Sequence, residues 1–476
     1  MSPSSNTLVV SSGPLAEISV LDGSMNTVAR SVGELREDLA PGLYKIRVRN
    51  GPSPEVAEQF VSLDQNRTMS IDAPPIFSPI PLEGTTRSHE YHMSRAVDSS
   101  RNPQFSFGQG SGLFVFAREW SATGTGAHNN PAEGLEIIDE TGKLLAEVGK
   151  TATIELSNDP SAAWCATVSP GAYRLRFALA DGSIIERALF ASPGCQTQIF
   201  ILLSTSISSP AAKAYPNLAG GAVIMSPKFQ FDPQDRGTQL GEIARYALTQ
   251  KGRVLNDQLR REIVNEKFAD PMLGLLGAHL ILRDEPDNAT LFETVTGNLL
   301  RLLGPDHPDL RLLCLRRRAP LLGMRRSLES PPMLRASWDL AVEASLENPN
   351  SFPEAGSVAD IADKIVPTTA WLVWRREPAL EHPGASEIGS PLALSVREFV
   401  AARARLETSR LAARGVIGRV SSAIYNYLSA GWHMLRGTPR PTSPMPSLSD
   451  DDKAELARVL GIPGPRLESL LKKIFD

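Results

Sequence analysis

The sequence predicts a multidomain chain that runs from β to α: two small antiparallel β modules, an α-helical domain, and a C-terminal helical hairpin. Three observations predict it. A short turn-and-strand phrase occurs twice in the first half. From about residue 235 the apolar residues change from period-two to helical spacing. Near the end, a Pro-rich linker precedes a short segment with two apolar stripes.

The repeated phrase is Pro41-Gly42-Leu43-Tyr44-Lys45-Ile46-Arg47-Val48, then Pro170-Gly171-Ala172-Tyr173-Arg174-Leu175-Arg176-Phe177. Pro presets φ and Gly accepts positive φ, so each Pro-Gly marks a turn. Large side chains at period two, with Lys and Arg between them, then read as a strand with one buried and one wet face. Asn50-Gly51 and Asp181-Gly182 are hairpin signals in the two copies. Closing strands follow at Met69-Ser70-Ile71 and Gln198-Ile199-Phe200, with Met69 and Gln198 at the same offset from their turns. Upstream, Glu17-Ile18-Ser19-Val20-Leu21-Asp22-Gly23 resembles Leu135-Glu136-Ile137-Ile138-Asp139. Two copies at so long a period indicate a domain duplication rather than a solenoid.

On these residues, 8–75 and 112–203 resemble the β-sandwich modules of the carboxypeptidase-regulatory or PEGA type. The resemblance implies two small antiparallel β-sandwiches that act as spacers or binding surfaces without catalysis.

Residues 76–111 form a Pro-rich, then polar, connector. Gly108, Gly110 and Gly112 make a G-x-G-x-G string, but a strand pattern follows it. A phosphate loop needs a helix there, so the string reads as a strand entry. Residues 204–234 read as a linker with one short strand at Ala222-Val223-Ile224-Met225. The α-helical domain spans 235–435 and contains an irregular Pro-rich insertion at 347–395. Within it, Asp270 is the expected N-cap and Pro271 the first helical position of a helix that is apolar all round through Leu282, hence a buried one. Gly304-Pro305 stops the next helix. Residues 415–435 form a weakly charged amphipathic helix. After the linker 436–447 comes the hairpin, 448–476. Ser449 and the acidic residues behind it cap its first helix. So short a segment must dock on the chain or on another protein.

Formal net charge is −4, too small to create a field that recruits nucleic acid or membrane. Three scattered cysteines, Cys165, Cys195 and Cys314, argue for a reducing compartment. With no secretory signal pattern and no run of about 20 apolar residues, the expected location is cytoplasmic. The chain has no G-x-S-x-G elbow, P-loop, H-E-x-x-H or C-x-x-C, so the expectation is a protein that is not an enzyme and needs no cofactor or metal. His89-Glu90-Tyr91-His92 reads as solvated histidines, and His279 as a core histidine. Asp306-His307-Pro308-Asp309 could orient a base, although the Gly-Pro before it says turn.

Two Arg-rich stretches stand out. Arg316, Arg317, Arg318, Arg325 and Arg326 form the candidate basic surface; Arg397 to Arg414 is mixed with Glu398 and Glu407. The candidate partner-binding residues are Leu456, Leu460, Leu467, Leu470, Leu471 and Phe475 of the hairpin. The favoured reading is an adaptor or scaffold that binds a protein partner through its β modules and tethered hairpin. The combination resembles accessory proteins of bacterial conflict or signalling systems, in which small helical adaptor domains recruit caspase-like or other peptidase effectors. Three alternatives stand beside it: a membrane-active effector using 415–435, a nucleic-acid binder through the Arg-rich helices, and an enzyme with a pocket around Asp306 and His307.

Overall fold

The computed structural model describes residues 5–13, 16–50, 56–74, 76–83, 85–86, 88, 90–102, 110–119, 129–156, 159–204, 214–249, 260–261, 270–317, 328–366, 370–377 and 448–475. The chain is β-rich in its N-terminal part and helical after it. It divides into two compact units. Met1–Glu133, Val148–Pro170 and Ala191–Gly304 form the first; Gly134–Glu147, Gly171–Phe190 and Pro305–Asp476 form the second.

The first copy of the repeat comprises β1 (Asn6–Ser11), β2 (Glu17–Leu21), β3 (Thr27–Val32), β4 (Glu34–Leu39), β5 (Gly42–Arg49), β6 (Val56–Leu63) and β7 (Arg67–Ser70). One sheet has the order β4-β1-β7, with β1 antiparallel to β4 and parallel to β7. The other is antiparallel, in the order β3-β2-β5-β6. Tyr44, Ile46 and Val48 point inward and join Leu8, Val10, Ile18, Val20, Val61 and Leu63 in one buried cluster. Lys45 and Arg47 alternate with them on the wet face, where both reach Glu58. The turn-strand phrase thus buries what its period predicts, except that Leu43 is exposed.

The connector carries β8 (Ile76–Phe77), β9 (Thr85–Thr86) and α1 (Glu90–Ser100). The second copy follows as β10 (Ser111–Arg118), β11 (Leu135–Asp139), β12 (Leu144–Glu147), α2 (Val148–Thr151), β13 (Thr153–Glu155), β14 (Ser161–Thr167), β15 (Gly171–Ala178), β16 (Ile184–Ala191) and β17 (Cys195–Ser204). In the first unit, β14-β10-β17 repeats β4-β1-β7, again with one antiparallel and one parallel pairing. In the second unit, β12-β11-β15-β16 repeats β3-β2-β5-β6.

Register carries the duplication to single residues. Val10 pairs with Met69 and Phe114 with Gln198; Ile18 pairs with Val48 and Leu135 with Phe177. Both copies also make the same turn after their second strand. Asp22 Oδ1 accepts from the N–H groups of Ser24 and Asn26, and Asp139 Oδ1 from those of Thr141 and Lys143. Because the chain crosses from one sheet to the other after β10, β12, β14 and β16, the two sheets of the second copy fall into different compact units, and the units interleave along the chain.

Among the described residues the second copy also has strands the first lacks. In the first unit, β18 (Tyr215–Pro216) and β19 (Ala222–Ser226) pair with β17. In the second, β20 (Val373–Arg376) lies antiparallel along β16. The flanking strands also decide the thiol chemistry. Cys165 is on β14 and Cys195 on β17, on opposite sides of β10, and all three cysteines are free.

The helices follow the local signals closely. In the first unit come α3 (Arg236–Thr249), α4 (Pro271–Asp284) and α5 (Ala289–Leu303). Asp270 caps α4 by accepting from Met272 N–H, and every residue from Pro271 to Ile281 is buried. Gly304, at φ +77°, ends α5. The second unit holds α6 (Pro308–Cys314), α7 (Arg335–Glu347), α8 (Ser357–Ile361), α9 (Asp450–Leu460) and α10 (Gly464–Phe475). Ser449 and Asp452 form a reciprocal capping box at the start of α9, and Gly461 takes the left-handed conformation at its end. Among the described residues no helix is long and apolar enough to cross a membrane.

The hairpin α9–α10 is seated in its own chain. Leu456, Leu467, Leu470 and Leu471 are buried with Trp338, Phe352 and Trp374, and Leu460 packs against the same cluster. Trp338 Nε1 donates to Gly461 O at 2.8 Å, Arg458 pairs with Glu343, and Arg466 with Asp363. The expectation of an apolar face held out for a partner is therefore corrected: burying four leucines on the chain's own core removes the apolar area that would drive docking elsewhere. The linker 436–447 and the helix expected at 415–435 lie outside the described residues.

Candidate functional site

Among the described residues three clusters of polar side chains stand out, each within one unit. In the first unit, Arg118 ends the buried strand β10 and is fully buried. Its guanidinium donates to the carbonyls of Ser78 and Pro79 at 3.2–3.3 Å and lies 3.4 Å from His92 Nδ1. Burial pulls Arg118 down to about 9. Tyr91 donates to Asp159 Oδ2 at 2.7 Å, and burial followed by that bond pushes its phenol well up. Next to this group, Ser78 donates to Glu242 at 2.6 Å, and Glu242 also holds Arg245. The network fastens the connector, α1, β10 and α3 together, with its cation closed from solvent. His92 is therefore not the solvated histidine expected; α1 turns it inward, where it is 0% exposed. His89 lies outside the described residues.

In the second unit, Asp306 is exposed in a turn, while His307 and Asp309 are fully buried at the start of α6. Asp309 accepts from the backbone N–H groups of Met333 at 2.8 Å and Leu334 at 2.9 Å, which fixes the chain where α7 begins. Burial pushes its carboxyl up to about 6. His307 Nδ1 is 3.8 Å from Asp309 Oδ2, beyond hydrogen-bond length, and its ring tilts against Phe190 at 4.9 Å. Among the described residues neither ring nitrogen meets a hydrogen-bond partner. Burial pushes the imidazole down to about 3, so it is neutral and a weak base near pH 7. Asp306 and His307 thus do not share a pocket; the aspartate that neighbours His307 clamps the backbone.

The third cluster, also in the second unit, centres on Glu186 of β16. Its Oε2 accepts from Trp374 Nε1 at 2.6 Å and Arg376 Nε at 2.7 Å, and Arg174 lies 3.8 Å from Oε1. Arg187 stacks over Trp371, 4.2 Å from the ring centroid. One carboxylate thereby ties β20 to the edge of the sheet. Sequence reading missed both Glu186 and Arg118. The signal for Arg118 was a lone charge closing the apolar run 113–117; nothing local marked Glu186.

The basic surface is only partly described. Arg316 pairs with Glu347 at 3.4 Å, and Arg317 lies half-buried beside it; Arg318, Arg325 and Arg326 are outside the described residues. Burial pushes Cys165 up to about 11, Cys195 to about 12 and Cys314 to about 11. That is the reverse of what a cysteine nucleophile needs.

No family model matches the chain. A probable protease of a Desulfuromonadales bacterium is 22% identical to it over 327 residues, which is 58% of this chain and 39% of that protein. The chain thus spans about two-fifths of the relative's length. The TIE protein of Bacillus anthracis aligns with 40% of this chain and 32% of its own at 11% identity and a TM-score of 0.17, too low to support any argument. The likeness to a probable protease overturns the expectation that the chain is not an enzyme.

Proposed function

We propose that the chain acts in peptide-bond cleavage and that its described residues form a frame that holds polypeptide partners. The single observation that carries this is the likeness, over 58% of the chain, to part of a probable protease. The duplicated β frame supports it, because strands fixed by register offer rigid edges and faces to another chain. We read the first copy as a β-sandwich of the carboxypeptidase-regulatory or PEGA kind, because both its sheets contribute to one core and Tyr44 donates to Ala40 O at the turn. Three free thiols suit a reducing, cytoplasmic setting. The β modules rather than the hairpin take the partner-holding role, since Leu456, Leu467, Leu470 and Leu471 of the hairpin are buried in the second unit. A bacterial peptidase-linked signalling or defence system is the setting this reading favours.

The test is capture with the full tagged chain from a lysate of its source cells, followed by mass spectrometry. The reading expects a peptidase, or polypeptides cut at recurrent sites, to be enriched over a tag-only control. Enrichment of neither overturns it.

A further inference from the structure

The two copies differ at one edge. In the second copy β16 is covered by β20, and pairing continues past the strand where Ala188 N–H donates to Leu372 O at 3.2 Å. In the first copy β6 holds the same place at the end of its sheet, and among the described residues it pairs with β5 alone. Burial follows. β16 is buried from Glu186 onward, whereas Glu58, Gln59 and Phe60 of β6 are exposed, Phe60 by 64%.

Glu58 and Glu186 are counterparts. Lys45 and Arg174 each stand three residues after the Gly of their Pro-Gly turn, and each faces one of these carboxylates, Lys45 at 2.7 Å and Arg174 at 3.8 Å. Two residues further on, Phe60 corresponds to Ala188, whose N–H points at the added strand. The N–H groups of Glu58 and Phe60 therefore face the open edge, and those of Gln59 and Val61 face β5. Glu58 retains acceptor capacity beside Lys45 and Arg47, since a carboxylate offers about four lone-pair sites and its side chain is 38% exposed. The edge bears neither Pro nor Lys, residues that commonly block strand addition.

We propose that β6 is a strand-addition site for an extended segment of a partner polypeptide, bound antiparallel, with an aromatic donor facing Glu58 and a basic residue two positions on. The chain's own β20 is the pattern: Trp374 lies opposite Glu186, and Arg376 reaches the same oxygen. The partner's aromatic ring shares the outer face with Phe60, whose own ring centroid already lies 5.6 Å from Lys45. The biology of this site rests on the polypeptide-holding reading, but the test reads binding alone, so the absence of cleavage would leave it standing.

The probe is a fluorescent peptide carrying residues 371–377, added to the full chain and followed by anisotropy and by hydrogen exchange. The expected result is saturable binding with slowed exchange at the amides of 56–63. Phe60→Pro removes an edge N–H without touching the β5 pairing and is expected to weaken binding at least tenfold. A peptide N-methylated at alternate residues, which leaves the protein unaltered, is expected to lose binding to the same extent, as is one with Trp374 and Arg376 both replaced by Ala. Three results would each overturn the proposal: no saturation, protection on β16 instead of β6, or indifference to both backbone blocks. Protection of 56–63 that grows with chain concentration in the absence of peptide would also overturn it, in favour of an edge shared by two copies.

Discussion

Replacing Leu467 with Ala tests how the hairpin is held. Leu467 is 1% exposed and packs with Leu456, Leu471 and Trp338 in the core of the second unit. Removing a buried leucine side chain costs its transfer free energy plus a term for the cavity left behind, about 2–5 kcal/mol. With roughly 3 kcal/mol taken as the central value, a unit of this size should melt about 6–12 °C lower. Tryptophan fluorescence is a suitable probe because Trp338, Trp371 and Trp374 are all fully buried in that unit. Glu468→Ala is the control: Glu468, beside Leu467 on α10, is exposed and lies 3.7 Å from Lys453, a surface pair worth under about 1 kcal/mol. Equal melting of the two variants would refute the seated hairpin, because a tethered hairpin loses nothing when an apolar residue is trimmed.

Other consequences follow from single groups. Burial pushes Asp270 up from 3.8 to about 7, so the folded chain keeps a proton that the unfolded chain releases, and stability falls as pH rises across that interval. Asp270→Asn keeps an acceptor for Met272 and cannot ionise. Its stability relative to the parent should climb by about 1.4 kcal/mol per pH unit between roughly pH 4 and 7 in urea titrations, then level off; a difference independent of pH would be evidence against a raised carboxyl. Gly461 sits at φ +66° and its added methyl would meet the Arg335 guanidinium. Gly461→Ala should therefore cost about 1–2 kcal/mol in chemical denaturation, and a neutral result would mean that α9 does not end in a left-handed residue. The raised thiols predict slow modification by a disulfide reagent at pH 8 in the native chain and reaction of all three cysteines once it is unfolded. Rapid native labelling of even one would contradict the burial described.

Much of the fold was legible because it is written locally. Period-two burial around Tyr44 and Tyr173, the Asp270-Pro271 start, the Gly304 stop and the Ser449 cap each depend on a few neighbouring residues, and each is where the sequence places it. What could not be read depends on distance along the chain. Trp374 reaches Glu186 across 188 residues, and Arg118 reaches Ser78 and Pro79 across about 40. His92 was misread because a polar neighbourhood in sequence says little about which way a helix is turned, and α1 turns His92 toward Arg118. The hairpin leucines were correctly picked as an apolar stripe, but no local pattern tells whether Trp338 or a foreign surface covers such a stripe. The non-enzymatic expectation rested on missing motifs, a weak ground, since motifs are family-specific and this chain matches no family model.

The most direct test of the central claim is a cleavage assay. The full chain, alone and together with whatever peptidase it captures, would be incubated with a peptide library made from a cellular proteome, and new termini would be counted by mass spectrometry. A role in proteolysis predicts new termini at recurrent sites that disappear when the chain is omitted. A library left unchanged under both conditions would contradict it.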